Sequence, residues 1–248
     1  IDDFIIMETP TCNIPTGLIK NSATFNSMEL DWSATDDANC AGWIVEYKPY
    51  DDLVWQSEYT TSHPFTISNL VSNVVYRISV KAVCLGGDTT LATDIKNYGL
   101  PCEPISNFPW NEGFENVWFP GNGFGGTTDS RPWCWYNVNG GASISYLWRR
   151  TITADYVHSG LASLQMYTGS TTSQLGDWMI SPAFTFTGNE RIKFWAKGYS
   201  TYTDRLTVKI YDVTTNSIVD AVADTSLFVT IMPNTIIPAA TWTQYEIN

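Results

Sequence analysis

The sequence has 248 residues, which is enough for two domains that each bury their own core. Hydrophobic residues make up 44% of it and charged residues 15%, which excludes an intrinsically disordered chain. The net charge of −12, with only 13 Lys and Arg, argues against binding to nucleic acid or to an anionic membrane surface, because both require a basic face.

No apolar run is long enough to span a membrane. The chain opens on Ile1 rather than Met, so we expect a fragment or a processed product whose export signal lies outside it.

Short runs of alternating apolar and β-branched residues, separated by Gly, Asn, Asp and Pro, predict an all-β chain. In the run after Val75, alternate residues share one face and are predicted to point inward, namely Tyr76, Ile78, Val80 and Ala82. The predicted strands between residues 11 and 100 are Ala23–Phe25, Met28–Trp32, Trp43–Lys48, Phe65–Ile67 and Val75–Ala82.

This first half resembles a fibronectin type III domain. Pro15 and Leu18 fall where the family opens its first strand, and Trp32 matches the core tryptophan of the second. Leu70 lies six residues before Tyr76, a spacing that fits the tyrosine corner, in which a buried phenol hydrogen-bonds the backbone. The resemblance implies a two-sheet sandwich over residues 9–100.

The second half, residues 101–248, has its own series of strands with longer connections. Pro101 and Pro104 stiffen the boundary, which we place between Tyr98 and Pro104. Eight or so strands favour a jelly roll over a second fibronectin domain. The predicted strands are Trp133–Val138, Ser143–Arg149, Ser163–Tyr167, Trp178–Ser181, Arg191–Lys197, Leu206–Tyr211, Leu227–Ile231 and Trp242–Ile247.

Several spaced motifs in this half resemble the cleaved-adhesin or choice-of-anchor J jelly rolls, relatives of MAM domains on surface proteins of Bacteroidetes-type bacteria. The resemblance implies an all-β chain in which a fibronectin type III sandwich precedes a MAM-like jelly-roll sandwich. The motifs are Phe108–Glu115, Pro132–Trp135, Ser159-Gly160 with Ser163-Leu164, Met179–Pro182 and Phe194–Ala196.

Both ends of the chain bear on this resemblance. Residues 1–8, with the run Ile1–Ile6, look like the closing strand of a preceding jelly roll. The chain stops near Trp242–Ile247, where the family has further strands to come, so we expect residues 101–248 to be truncated at their C-terminal end. The alternative is that Ile1–Ile6 completes the sheet of the second domain itself.

The same resemblance implies a structural calcium ion. Relatives hold it between a Glu that matches Glu115 and a final-strand Asp pair that matches Asp2 and Asp3, here belonging to the preceding domain. Asp129 and Asp177 are weaker candidates in neighbouring loops. Because Ca²⁺ takes roughly six to eight oxygens, one carboxylate is not enough, and the alternative is that Glu115 is a solvated edge residue.

The five cysteines have neither zinc-ribbon nor redox spacing, and we interpret them as disulfide partners in an oxidising compartment, with one left over. In a fibronectin domain Cys12, Cys40 and Cys84 lie at one pole, which favours a Cys12–Cys84 bridge and leaves Cys40–Cys84 as the alternative. The jelly-roll relatives imply a bridge between Cys102 and Cys134. Buried thiols that pack as small hydrophobes are the competing interpretation.

Tryptophans of the second half are candidates for stacking on sugar rings. Trp118 and Trp148, near Gly-rich or Arg-bearing segments, are predicted to be exposed ligand-binding residues. Trp178 and Trp195 lie in apolar runs and are predicted to be core. Core packing is the alternative for all of them.

No catalytic signature stands out. His63 and His158 are far apart and lack a partner pattern, and the run Gly121–Gly126 has no strand-to-helix context. We therefore predict a non-enzymatic extracellular segment of a multidomain bacterial surface adhesin that binds host protein, matrix or glycan. The alternatives are an accessory module of a secreted protease or glycan-degrading enzyme, and a stalk or fibre subunit that binds neighbouring surface subunits.

Overall fold

The computed structural model describes residues 9–34, 37–116, 118–120, 130–138, 148–166, 177–199, 203–214 and 225–248. Within these ranges, strands and short 3₁₀ turns are the regular elements, which confirms the all-β fold class. The chain divides into two compact units, Ile1–Glu103 and Pro104–Asn248. This division lies in the proline-stiffened segment Tyr98–Pro104. The run Ile1–Ile6 lies outside the described residues.

The first unit contains two antiparallel sheets. Its strands are β1 (Thr16–Ala23), β2 (Met28–Ser33), β3 (Cys40–Pro49), β4 (Gln56–Thr60), β5 (Phe65–Ile67), β6 (Val75–Cys84) and β7 (Lys96–Gly99). One sheet has the strand order β1-β2-β5 and the other β4-β3-β6-β7, so some neighbouring strands in each sheet are not consecutive in sequence.

The core of this unit follows from the alternation of its strands. Trp32 is buried on β2, and every second residue of β6 from Tyr76 to Ala82 is buried as predicted. Arg77 and Lys81 lie on the opposite face of β6 and are half-buried. Burial of these apolar side chains contributes the main stabilisation of the sandwich, at about 25 cal/mol per Å² removed from water.

Three strands, β1, β4 and β7, differ from the predicted segments, and β7 (Lys96–Gly99) has no counterpart among them. Thr24 and Phe25 lie outside β1, in a turn closed by the Thr24 amide bonding the Ser27 carbonyl at 3.0 Å. The edge strand β4 was not among the predicted segments, because its sequence Gln-Ser-Glu-Tyr-Thr has almost no apolar alternation. It pairs with β3 across a continuous register of five residues.

The second unit contains five antiparallel two-stranded ladders within its described residues. They pair β8 with β9, β10 with β13, β11 with β12, β14 with β17, and β15 with β16. The strands are β8 (Phe119–Pro120), β9 (Ser130–Arg131), β10 (Tyr136–Val138), β11 (Trp148–Thr151), β12 (Ser163–Met166), β13 (Trp178–Ile180), β14 (Ile192–Ala196), β15 (Arg205–Ile210), β16 (Val229–Ile236) and β17 (Thr243–Ile247).

Most predicted strands of this half have a counterpart, with one clear shift. The segment Trp133–Val138 begins as a turn, in which Cys134 has φ +70° and the Trp135 amide bonds the Pro132 carbonyl. The strand itself is only Tyr136–Val138, because the left-handed residue cannot continue the ladder. Residues 143–147 of another predicted strand are not among the described residues. The jelly-roll topology and its truncation stay predictions.

Candidate binding surface

A disulfide closes one pole of the first unit. It joins Cys12 to Cys84, the pairing favoured from the sequence, with the Cα atoms 5.4 Å apart and 72 residues between them along the chain. Cys40, which faces Cys84 in the register of β3 and β6, is not part of this bridge. Cys102 and Cys134 are each disulfide-bonded as well. Such bridges are typical of proteins that fold in an oxidising compartment.

In the same unit, His63 has a hydrogen-bond partner that the sequence did not reveal. Its Nδ1 lies 2.8 Å from Oδ1 of Asp31, and its ring centroid lies 5.2 Å from that of Trp32 and 5.1 Å from that of Trp43. The hydrogen bond with His63 holds the pKa of Asp31 below its ordinary value. The signal was absent from the sequence because 32 residues separate the two side chains.

Glu115, the predicted calcium ligand, is an exposed residue held by backbone groups. Its Oε2 accepts a hydrogen bond from the Leu161 amide at 2.9 Å, and its main-chain carbonyl accepts one from Arg150 at 2.8 Å. Gly160 has φ +73°, and a Cβ there would lie 2.0 Å from Glu115 Oε1. The Ser159-Gly160 motif therefore provides the space in which the Glu115 carboxylate reaches the Leu161 amide.

The described residues around Glu115 do not by themselves make a full calcium site. Burial raises the pKa of the Glu112 carboxyl, and the nearby Glu115 charge raises it further. Oε1 of Glu112 already accepts a hydrogen bond from the Phe114 amide at 2.6 Å. Across the described ranges, no group of three or more His, Cys, Asp or Glu side chains is placed to hold a metal ion. Asp2, Asp3 and Asp129 lie outside the described residues, and calcium stays a prediction.

The two tryptophans predicted to bind ligand are both half-buried rather than exposed, so that part of the prediction is wrong. Trp148 donates its indole N–H to the Asp177 carbonyl at 3.1 Å. Trp118 packs near Phe114 with its ring centroid 6.4 Å away, and its indole nitrogen is buried. Both rings are used mainly for packing, which limits the ring area that either can offer to a ligand.

Trp195, predicted to be core, is instead on a solvent-facing side of the second unit, and its exposed fraction is 45%. On β14 and on β17 every second residue is exposed, so the two strands share an outer face. Trp195 lies opposite Gln244 on that face, next to the cross-strand pair Lys193 and Glu246. The sequence did contain a sign of this exposure. Lys193, Trp195 and Lys197 are alternate residues of one run, so they share one face, and two of the three are charged.

The indole of Trp195 is supported by a group of rings that we call the Trp195 platform, made of His158, Trp195 and Trp242. The His158 ring stacks on Trp195 at 4.2 Å with 17° between the planes, and it meets Trp242 edge-on at 5.4 Å. Lys197 lies over the Trp242 ring at 5.9 Å and donates to the Asp155 carbonyl at 2.7 Å. Tyr156 and Tyr199 form a further edge-on pair at 6.1 Å.

Charged side chains border the platform. Glu246 Oε1 lies 2.8 Å from Arg191, and Oε2 lies 3.1 Å from Lys193. These two hydrogen bonds, first that of Arg191 and then that of Lys193, hold the pKa of Glu246 below its ordinary value. Both cations are well exposed, at 59% and 46% of their side chains. Two exposed cations thus share the one carboxylate of Glu246 at this edge of the platform.

The two-sheet sandwich, its tyrosine at the start of β6 and its buried Trp32 define the first unit as a β-sandwich module of extracellular type. Residues 13–96 match the family model of the fibronectin type III domain, which confirms that prediction for the first unit. No curated protein matches the sequence.

Solved structures similar to the chain each align with about a third of it. A myokine structure aligns with 37% of this chain and 99% of its own, at 17% identity and a TM-score of 0.34. A crystal structure of titin domains aligns at 18% identity and a TM-score of 0.32, over 35% of this chain and 31% of the other. The FN1–FN3 domains of chicken CNTN1 align at 15% identity and a TM-score of 0.32, over 36% of this chain and 32% of the other.

Among the described residues, no helix is both long and apolar enough to cross a membrane.

Proposed function

We propose that this chain is a non-catalytic extracellular segment of a multidomain bacterial surface adhesin. Its fibronectin type III module and a following cleaved-adhesin or choice-of-anchor J jelly roll would carry surfaces that bind host protein, matrix or glycan. Fibronectin type III modules are typically binding or spacer units. Many weak contacts of this kind, repeated along a longer protein, add up to strong attachment.

The observation that carries the proposal is the position of Trp195. This indole lies on the outer face of a strand with an exposed fraction of 45%, so a large part of its apolar surface is in contact with water. Large exposed aromatics with a polar border are typical of surfaces that bind another molecule. The ring is also fixed by His158, so that little side-chain entropy would be lost on binding.

The disulfides support the proposed location. Cys12–Cys84 closes a long segment of the first unit, and Cys102 and Cys134 are also bonded. Together with the fibronectin match, this favours a secreted or surface-exposed protein, because cytosolic thiols are kept reduced.

Calcium is part of the proposal only as a structural ion beside Glu115. Among the described residues, Glu115 Oε2 accepts the Leu161 amide while Oε1 accepts no hydrogen bond, and the remaining calcium ligands would have to come from elsewhere. Its effect would be on the stability of the second unit rather than on a reaction.

Binding of the whole chain to a combined array of glycans and matrix proteins tests the proposal, in the presence of Ca²⁺ and again with a chelator. We expect a specific hit on at least one class of ligand. Loss of that hit with the chelator would link calcium to binding. Silence in both conditions, with the fold shown to be intact by circular dichroism, would contradict adhesion by this segment and favour a stalk or fibre subunit.

A further inference from the structure

We propose that the outer face of β14 and β17 binds a carboxylate-bearing pyranose of an acidic glycan. The sugar ring would stack on Trp195, and its carboxylate would be held by Arg191 and Lys193. This inference rests on the proposed binding function and names the surface and the ligand class.

The first step is the shape of the surface. Strand alternation places Lys193, Trp195, Gln244 and Glu246 on one face, with Trp195 opposite Gln244 and Lys193 opposite Glu246. Directly opposed side chains in such a ladder have Cβ atoms about 5 Å apart, and alternate residues of one strand are about 7 Å apart. A ring stacked on the indole would thus lie within reach of one amide and two or three charged groups.

The second step is the preorganisation of the indole. His158 covers one side of the Trp195 ring at 4.2 Å, and Trp242 fixes His158 from its edge. A pyranose would occupy the side of the indole that His158 leaves uncovered. The carbon-bound hydrogens on one face of a pyranose are apolar, so they pack on a flat aromatic ring, while the equatorial hydroxyls point outward to Gln244.

The third step is charge. The chain has a net charge of −12, yet two exposed cations, Arg191 and Lys193, flank a single carboxylate here, that of Glu246. Lys197 is adjacent, over the Trp242 ring. A neutral sugar would need none of these cations. A carboxylate accepting from Arg or Lys forms the stronger, charge-assisted class of hydrogen bond, so the border selects for an acidic sugar.

The test uses the whole chain and oligosaccharides of hyaluronan, in which every second sugar carries a carboxylate, with maltoheptaose as the neutral comparison. Isothermal titration calorimetry would measure affinity for the wild type, for Trp195→Ala and for the double variant Arg191→Gln, Lys193→Gln. Phe186→Ala, which truncates another exposed aromatic of the same unit, is the matched control. The double variant changes only exposed side chains and keeps the test valid if Trp195→Ala disturbs the fold.

We expect hyaluronan to bind and maltoheptaose to bind about tenfold more weakly or not at all. Trp195→Ala and the double variant should each weaken hyaluronan binding by about tenfold or more, and Phe186→Ala by less than about twofold. Hyaluronan binding that both site variants leave unchanged would overturn the site, as would the absence of binding to hyaluronan. In either case a hit on matrix protein in the array would leave the proposed adhesive function standing, so the two failures are distinguishable.

Discussion

The backbone amide of Val71 donates a hydrogen bond to the phenol oxygen of Tyr76 at 2.9 Å. Tyr76 and Leu70 are both buried, so the bond fixes the loop before β6 on the core of the first unit. This is the tyrosine corner that the six-residue spacing of Leu70 and Tyr76 predicts.

Tyr76→Phe removes the phenol oxygen that accepts the hydrogen bond, so the Val71 amide loses this acceptor. We expect the first unit to lose about 1–2 kcal/mol of unfolding free energy. Urea unfolding of the whole chain, with hydrogen exchange resolved by peptide to follow β6, would measure the loss. Tyr59→Phe is the control, since the Tyr59 hydroxyl also makes one hydrogen bond to the backbone, donating to the Ala41 carbonyl, but at an exposed site. Equal losses in the two variants would contradict the special role of the corner.

The Cys12–Cys84 bridge should contribute strongly to the stability of the first unit. A closed segment of this length restricts the unfolded chain by about 4 kcal/mol. The double variant Cys12→Ala, Cys84→Ala should therefore unfold at a markedly lower temperature, as seen by calorimetry. Cys40→Ala, which removes a cysteine outside that bridge, should shift the transition far less. A double variant as stable as the Cys40 variant would contradict this account.

The Asp31–His63 pair predicts a pH dependence at low pH. The pKa of Asp31 is lowered in the folded protein, mainly by His63 and also by the Trp32 amide. Its contribution is therefore present above the unfolded pKa of about 3.9 and is lost as the pH falls through the lower, folded value. Urea midpoints measured between pH 2 and 6 should fall more steeply for the wild type than for Asp31→Asn. Asp51→Asn, in an exposed turn, should follow the wild type.

Glu190 should titrate far below an ordinary glutamate. Its carboxylate accepts the Thr187 hydroxyl at 2.6 Å and the amides of Thr187, Gly188 and Asn189. These bonds hold its pKa at about 2. The order of the turn should persist down to about pH 4 and be lost as the pH falls toward 2. Carboxyl-detected NMR would measure the midpoint, and a midpoint above 4 would contradict the arrangement.

Gly160→Ala should destabilise the second unit through two effects. The residue has φ +73°, and its Cβ would clash with Glu115 Oε1. Gly188→Ala is the matched control, because Gly188 has φ +98° but open space around it. We expect about 1 kcal/mol for the control and about 2–3 kcal/mol for Gly160→Ala, measured by urea unfolding. Equal effects would show that the Glu115 contact is unimportant.

The sequence predicted best those strands in which apolar and polar residues alternate. The inward residues of β6 were readable because polar and apolar residues alternate there, and Trp32 because the family pattern marks it. The strand β4 was missed because its one strongly buried residue, Thr60, is polar. Trp195 was misplaced because Phe194 and Ala196 beside it are also apolar, which hides the alternation.

The surface contacts depended on residues that are distant in sequence. The stacking of His158 on Trp195 and the reach of Glu115 to Leu161 arise only when separate loops meet. The Cys12–Cys84 pairing could be inferred because a fibronectin sandwich brings those two strand ends together.

The same bridge has a mechanical consequence for a chain placed under tension. Tension that enters the chain before Cys12 and leaves after Cys84 passes through the sulfur atoms and bypasses β1 to β6. The 72-residue segment between the cysteines, about 250 Å long if fully extended, cannot be drawn out. Under load the bridged segment would therefore act as a short, inextensible link, with only residues 85–103 of the first unit, which include β7, left downstream of the bridge to extend. The same fold without the bridge would yield and lengthen over the whole segment.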